Sequence, residues 1–434
     1  MKGKGDRRNG EQTGGIVHDQ TTKKNLKWVV CGLLFLVTTI NYIDRSALGL
    51  VEPILKQMLG GDVDLALYNQ HYGNIVTCFI VAYGLGFLVS GRVIDRIGAK
   101  AGLAVSIVVW SAASISHAFA QTAVGFGMAR FALGLGESGN FPAALKAVAD
   151  CFPVEERALA TGIFNSGTSA ASLVAPLIIP WAAFRYGWRA AFFITASLSA
   201  LWLIAWLLFP YDRAQRAKSV VESAAPPASF KSLVRSRGTW RFALSKALTD
   251  PVWWFYLFWL PKFFHERFEV DMQRLGPPLI LVYVGATIGS VGGGWLAGWF
   301  IRRGHSARSG RRLAMLVCAL AATAVIFVPF AHVLWQAIGL LCIATAAHQG
   351  WSSNLLSTPS DMFASNSVGT VVGIGGAVGA VGSTIFTTVI GLLWTHHALL
   401  IFFLVGFAYL ISMAAFQRKV RAVTDDAKAT PANV

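Results

Sequence analysis

The sequence predicts an all-α membrane protein, with twelve transmembrane helices in two pseudo-symmetric six-helix bundles. Three observations predict it. First, 55% of the 434 residues are hydrophobic and only 13% are charged, against about 25% charged in soluble globular domains. Mean hydropathy is +0.55. Second, apolar runs near the roughly 20 residues that a helix needs to cross a bilayer recur twelve times. Third, basic residues alternate with those runs. Assigning loops by turns to two sides puts 27 Lys and Arg on the side of both termini and five on the other: Lys56, Arg185, Arg189, Arg267 and Arg274. That asymmetry predicts cytoplasmic termini, and it explains the net charge of +16 without nucleic acid.

In chain order, residues 1–27 are polar, Gly-rich and basic. They read as a disordered cytoplasmic tail, not as a cleavable signal, because the apolar run that follows is too long and lacks a cleavage site. Spans are expected at 28–50, 72–91, 101–119, 124–146, 158–182 and 190–209. The second set is expected at 243–264, 276–301, 311–329, 333–357, 368–393 and 398–417. The Pro-, Ala-, Ser- and Arg-containing stretch 210–242 is the long hydrophilic segment between spans. It divides the chain into bundles 28–209 and 243–417, the pattern of two parallel repeats, with a cytoplasmic tail at 418–434. The five cysteines are odd in number, lack CxxC spacing and lie mostly in apolar spans, so neither a disulfide framework nor a zinc site is indicated.

Span one, WVVCGLLFLVTTINYIDRSALGL, carries Asn41, Tyr42, Asp44 and Arg45. An ionised side chain at bilayer depth costs roughly 2.5–3.5 kcal/mol on insertion scales. Such residues are kept when they pair, face a water-filled cavity or do a job. Asp44 and Arg45 sit about 100° apart on a helix, so each can face a different neighbour. A planar guanidinium matches a carboxylate bidentately.

Between spans two and three, Gly91, Asp95, Arg96, Gly98 and Lys100 fit a tight turn with charges at both helix ends. Gly298, Arg302, Arg303 and Gly304 form a weaker echo at the matching place in the second half. Span four reads Arg130-Phe131-Ala132-Leu133-Gly134-Leu135-Gly136-Glu137. Its Gly-x-Gly-x-x-Gly lacks the strand and βαβ context of a dinucleotide loop; the glycines suit close helix contact instead. Arg130 and Glu137 are seven apart, on one face and about 10.5 Å apart along the axis. They are either a structural ion network or a proton site beside a controlling arginine.

The second half is polar and aromatic. Lys246 and Asp250 have i, i+4 spacing, which as a rule is a local ion pair. Pro251 is expected to break the helix there. Trp253, Trp254, Tyr256 and Trp259 follow, suited either to stacking on the C–H faces of a bound molecule or to a lipid-interface belt. Lys262 snorkels to the interface. In span ten, His348, Gln349, Ser352, Ser353, Asn354 and Ser357 form a polar stripe. His348 reads more readily as a hydrogen-bonded structural histidine than as a proton carrier, and Asn354 as the candidate for bonding a hydroxyl of a bound molecule. Five glycines between Gly373 and Gly382 serve packing and gating alike.

The 91–100 loop matches the G-x-x-x-D-R-x-G-x-K signature of the major facilitator superfamily. Together with Asn41-Tyr42-Ile43-Asp44-Arg45 and the span-four block, it resembles the superfamily's anion:cation symporter branch. Gly162–Gly167, Leu248–Trp253 and Ala347–Trp351 resemble the bacterial hexuronate transporters within that branch. The resemblance covers about residues 28 to 417. It implies cotransport of a sugar acid with protons across the bacterial inner membrane by alternating access. It also implies Arg45 as the holder of the substrate carboxylate, Asp44 and Glu137 as the proton-carrying groups, and Arg130 as the residue controlling Glu137. Tyr42, Tyr83 and Asn165 fall on positions lining the sugar pocket; Tyr256, His348, Gln349 and Asn354 complete the expected site. The span-one Asp-Arg pair is shared with aldonate carriers, so hexuronate and aldonate both stand.

The expected partners are an organic anion, protons and the lipid bilayer, with no cofactor beyond the proton gradient, no metal and a monomeric state. Two alternatives remain: an organic-anion exchanger of the same fold and a non-transporting sensor. The tails, about 27 and 17 residues, are too short for a signalling domain. No nucleophile–base pair or metal-ligand cluster points to an enzyme.

Overall fold

The computed structural model describes residues 8–60, 65–215, 228–270 and 276–417. The expected tail at 418–434, the centre of the linker and Arg274 lie outside the described residues. The first half contains α1 (Arg8–Gly60), α2 (Leu65–Ile97), α3 (Ala99–His117), α4 (Ala123–Glu137), α5 (Asn140–Cys151), α6 (Val154–Tyr186) and α7 (Trp188–Leu208). Two short helices, α8 (Tyr211–Ala214) and α9 (Phe230–Arg235), belong to the linker. The second half contains α10 (Arg237–Phe268), α11 (Gly276–Arg302), α12 (Ala307–Ala322) with a 3₁₀ continuation (Thr323–Phe330), α13 (Leu334–Ser357), α14 (Pro359–Met362) and α15 (Val368–Gln417).

Twelve membrane crossings follow, because α4 and α5 form one crossing and α15 forms two. The backbone of α15 leaves helical geometry at His397 (φ −137°, ψ 35°). Among the described residues, nine helical segments are long and apolar enough to cross a bilayer. The three crossings outside that set are α4–α5, α10 and α13. These carry Arg130 with Glu137, Lys246 with Asp250, and His348 with Gln349. α4 and α5 are each too short to cross alone, α10 and α13 carry interior polar groups, and the protein around these groups shields them from lipid. Large apolar side chains face outward elsewhere, among them Phe184, Leu177, Val89 and Leu208.

Three sequence expectations need correction. The stretch read as a disordered tail is helical from Arg8. It has no proline before Pro53, and a helix already nucleated in the span propagates backwards cheaply. Pro251 does not break α10, which runs through both Pro251 and Pro261. Proline removes one donor per site and bends a packed helix before it ends it. Span four, expected to be continuous, is interrupted at Ser138–Gly139. Pro142 has no N–H for the Ser138 carbonyl, which instead accepts from Ser90 Oγ of α2 at 3.1 Å. The break leaves Glu137 as the last residue of α4.

The two halves meet along two helix pairs, α2 with α15 and α6 with α11. Both pairs rely on glycine for backbone contact. A Cβ at Gly373 would strike the Phe87 carbonyl, and one at Gly294 would strike the Ala158 carbonyl. The turns after α2 and after α11 close alike, on Gly98 (φ 86°) and Gly304 (φ 95°), a left-handed conformation that suits glycine. The loop and its echo are thus the same device used twice.

Candidate functional site: a buried ion network between two halves

Four expected site residues of the first half, Tyr42, Tyr83, Arg130 and Glu137, converge on Arg45. Its guanidinium donates to Glu137 Oε2 from Nε at 3.0 Å and from a terminal nitrogen at 2.8 Å. It also reaches Asn41 Oδ1 at 3.5 Å. Three rings surround it, with centroids 4.4 Å (Tyr42), 4.5 Å (Tyr83) and 5.1 Å (Phe79) from the guanidinium carbon. Cation–π contacts of this kind reach about 2 kcal/mol when desolvated. The partners are unequally buried: the Glu137 side chain is 0% exposed and that of Arg45 is 12% exposed. Glu137 Oε1 has no hydrogen-bond partner among the described residues.

Asp44 faces away from this group. It accepts a hydrogen bond from Ser114 Oγ at 2.7 Å, and Ser114 lies 3.2 Å from Thr195 Oγ1. The carboxylate is buried between α1, α3 and α7, with Oδ2 unpartnered among the described residues. The adjacent charges of span one therefore serve different neighbours, as their angular separation predicts.

Arg130 stands on the face it shares with Glu137 but makes its hydrogen bonds elsewhere. Its two terminal nitrogens donate to the Arg45 carbonyl at 3.2 and 3.3 Å, and its guanidinium lies 5.7 Å from the Phe79 ring centroid. Glu137 is bonded by Arg45. Two residues seven apart share a face but stand two turns apart, and the Arg45 side chain enters that gap from α1.

The second half places His348 and Gln349 centrally. His348 Nδ1 is 2.5 Å from the Tyr409 hydroxyl, and its ring stacks on Trp253 at 5.4 Å, with Tyr256 at 6.1 Å. The Tyr256 hydroxyl is buried without a hydrogen-bond partner among the described residues. Asn165 of α6 donates to Gln349 Oε1 at 2.7 Å, and Gln349 reaches Thr168 and Ser169 in return. This amide pair bridges the halves. Asn354 Nδ2 donates to the carbonyls of Gly293 and Gly350, at 2.8 and 2.9 Å, clamping α13 to α11, while its Oδ1 is buried with no hydrogen-bond partner among the described residues. Sequence reasoning did not single out Phe79, Ser114, Thr195 or Tyr409. The usable signal was a lone polar or aromatic residue facing inward from an apolar helix.

At the end carrying the basic loops, the halves are latched. Asp95 accepts from the Gly369 and Thr370 amides at 2.9 and 2.7 Å and from Thr370 Oγ1 at 2.6 Å, capping the start of α15. Gly91 packs against the Gly369 backbone. Lys100 donates to the Phe209 carbonyl at 3.0 Å, whereas Arg96 is exposed. Lys146 donates to the Ser365 carbonyl at 2.7 Å, and Ser365 Oγ donates to Asp150. Arg311 donates to the Val154 carbonyl at 2.9 Å and pairs with Asp361, which lies 3.6 Å from Arg157. Burial pushes the Asp361 carboxyl up from its ordinary range, and the two guanidinium groups pull it the other way.

Residues 34–387 match the family model described as Major Facilitator Superfamily. The chain is 30% identical over 387 residues to the hexuronate transporter of Escherichia coli (strain K12), covering 85% of this chain and 88% of that one. It is 29% identical over 289 residues to the galacturonate transporter of Dickeya chrysanthemi, covering 63% and 82%. Among solved structures, the proton:xylose symporter XylE bound to 6-bromo-6-deoxy-D-glucose superposes with a TM-score of 0.75 at 13% identity, over 90% of this chain and 95% of that one. With the helix count, the paired turns and these matches together, the chain belongs to the major facilitator superfamily, a family of membrane transporters and not of enzymes.

Proposed function

We propose that the protein imports a monocarboxylate sugar acid, hexuronate or aldonate, together with protons across the bacterial inner membrane. Both termini face the cytoplasm, and the units 28–209 and 243–417 rock about the central site, joined by 210–242 and flanked by tails 1–27 and 418–434. The observation that carries this reading is the Arg45–Glu137 pair inside its aromatic box. Arg45 is the group best suited to an incoming carboxylate, and an internal carboxylate already holds it. Protonating Glu137 weakens that grip and frees the guanidinium for the substrate. Deprotonation inside restores the internal pair and expels the cargo. Binding of proton and of sugar acid are thereby linked, each favouring the other. Asp44, enclosed by hydroxyl donors, is the second proton site, and Arg130 holds the backbone that aims Arg45. Tyr42, Tyr83, Asn165, Gln349, His348 and Tyr256 line the sugar's path. The basic-end latch is the inner gate. The hexuronate and galacturonate relatives support the substrate class.

The test is uptake into proteoliposomes that contain no substrate. An inside-alkaline pH gradient is expected to drive accumulation of labelled galacturonate, glucuronate, galactonate or gluconate, and a protonophore is expected to abolish it. Accumulation only after preloading with an organic anion would make the protein an exchanger.

A further inference from the structure

The second half holds an ion pair that the site above does not use. Lys246 and Asp250 of α10 pair at 2.7 Å, with side chains 12% and 30% exposed. Charges left partly exposed at this depth face either lipid, at roughly 2.5–3.5 kcal/mol each, or an interior space. Their surroundings decide for the interior. A Cβ at Gly379 of α15 would lie 2.6 Å from Asp250 Oδ2 and 3.4 Å from Lys246 Cβ. One turn earlier, a Cβ at Gly376 would lie 2.8 Å from the Phe87 ring. Phe87 packs on Tyr83 at 4.6 Å, and Tyr83 lies over Arg45. Asp250 is also within electrostatic reach of Tyr42, Tyr83 and Tyr409, and Lys246 within reach of His348. The pair thus lies on the side of α10 turned toward Arg45–Glu137, with Phe87 and Tyr83 between them. Each half presents a cation that its own carboxylate already neutralises.

We propose that Lys246–Asp250 is a second recognition point, which selects sugar acids with one carboxylate against aldaric acids with two. The proposal rests on the sugar-acid reading above. With the cargo's carboxylate on Arg45, its other end carries hydroxyl or lactol groups, which both accept and donate hydrogen bonds. Lys246 donates to that end and Asp250 accepts from it. A second carboxylate there meets the Asp250 charge and finds Lys246 already neutralised. Exclusion by a like charge is the repulsive element that specificity needs in addition to attractive contacts.

The experiment is competition against labelled galacturonate uptake in proteoliposomes, with unlabelled galacturonate and galactarate, which differ in oxidation at one terminal carbon. In the unaltered protein, galactarate should compete at least about tenfold more weakly, about 1.4 kcal/mol. Asp250→Asn leaves Lys246 as a net cation, and galactarate should gain at least about tenfold relative to galacturonate. Lys246→Gln leaves Asp250 as a net anion, and it should weaken both competitors, galactarate more. A merely structural pair would give two variants impaired alike with the ratio unmoved, and that outcome would overturn the proposal. So would an unaltered protein that takes both acids equally. If Asp250→Asn does not reach the membrane, the double variant Asp250→Asn/Lys246→Gln removes both charges and leaves no unpaired ion. Its ratio should move toward equality, and an unchanged ratio again overturns the proposal. An unaltered protein that carries no hexuronate or aldonate defeats the sugar-acid reading itself, which the same control arm shows separately.

Discussion

The two halves share an architecture and divide the chemistry. The first half buries Asp44, Arg130 and Glu137 and half-buries Arg45. The second half meets them with rings and amides: Trp253, Tyr256, His348, Tyr409 and Gln349. The halves thus differ by side-chain class, although each turns on a glycine of positive φ, Gly98 and Gly304. Under the proposed mechanism, the difference assigns charge state to one half and cargo shape to the other. The ion pair Lys246–Asp250 is the exception on the shape side.

Four substitutions sharpen or break that division. Arg45→Lys should have the largest effect, because a point charge replaces a fork that makes two bonds to one carboxylate oxygen. Substrate affinity should fall by about 100-fold, or about 2.7 kcal/mol, in equilibrium binding; near-normal affinity would remove Arg45 from the site. Glu137→Gln imitates the protonated acid permanently. Gradient-driven accumulation should fall at least about tenfold, while exchange between preloaded and external sugar acid continues. A variant that accumulates normally would make Glu137 structural. Asn165→Ala removes the amide bridge to Gln349 and should weaken binding by about tenfold, or about 1.4 kcal/mol. Its accumulation should keep the pH dependence of the parent, and loss of that dependence would break the division between the halves. The smallest effect belongs to the gate. Asp95→Asn removes a charge from the start of α15, where such a charge contributes about 0.3–2 kcal/mol. Hydrogen exchange over the first turns of α15, from Val368, should quicken a few-fold, with sugar-acid affinity nearly unchanged.

Much of the site was readable before any coordinates. Arg45 does meet Glu137, Tyr42 and Tyr83, and Asn165 meets Gln349, because a charge or amide in a membrane helix has few places to go. Three assignments needed the fold. Arg130 grips the Arg45 backbone, Asn354 clamps two helices through its amide nitrogen, and Asp44 faces hydroxyls. In each case the residue's face was predictable from helical period, but the neighbour on that face was not.

The sequence by itself determined the number of crossings, their grouping into six and six, and which side chains had to be kept from lipid. These follow from local quantities: the length of an apolar run, the spacing of charges and the alternation of basic loops. The tertiary structure alone decided the pairings: Arg45 with Glu137, Asp95 with the start of α15, Asn165 with Gln349. Such contacts join residues more than ninety positions apart. They depend on glycine-mediated approach between helices, which no periodicity along one helix encodes.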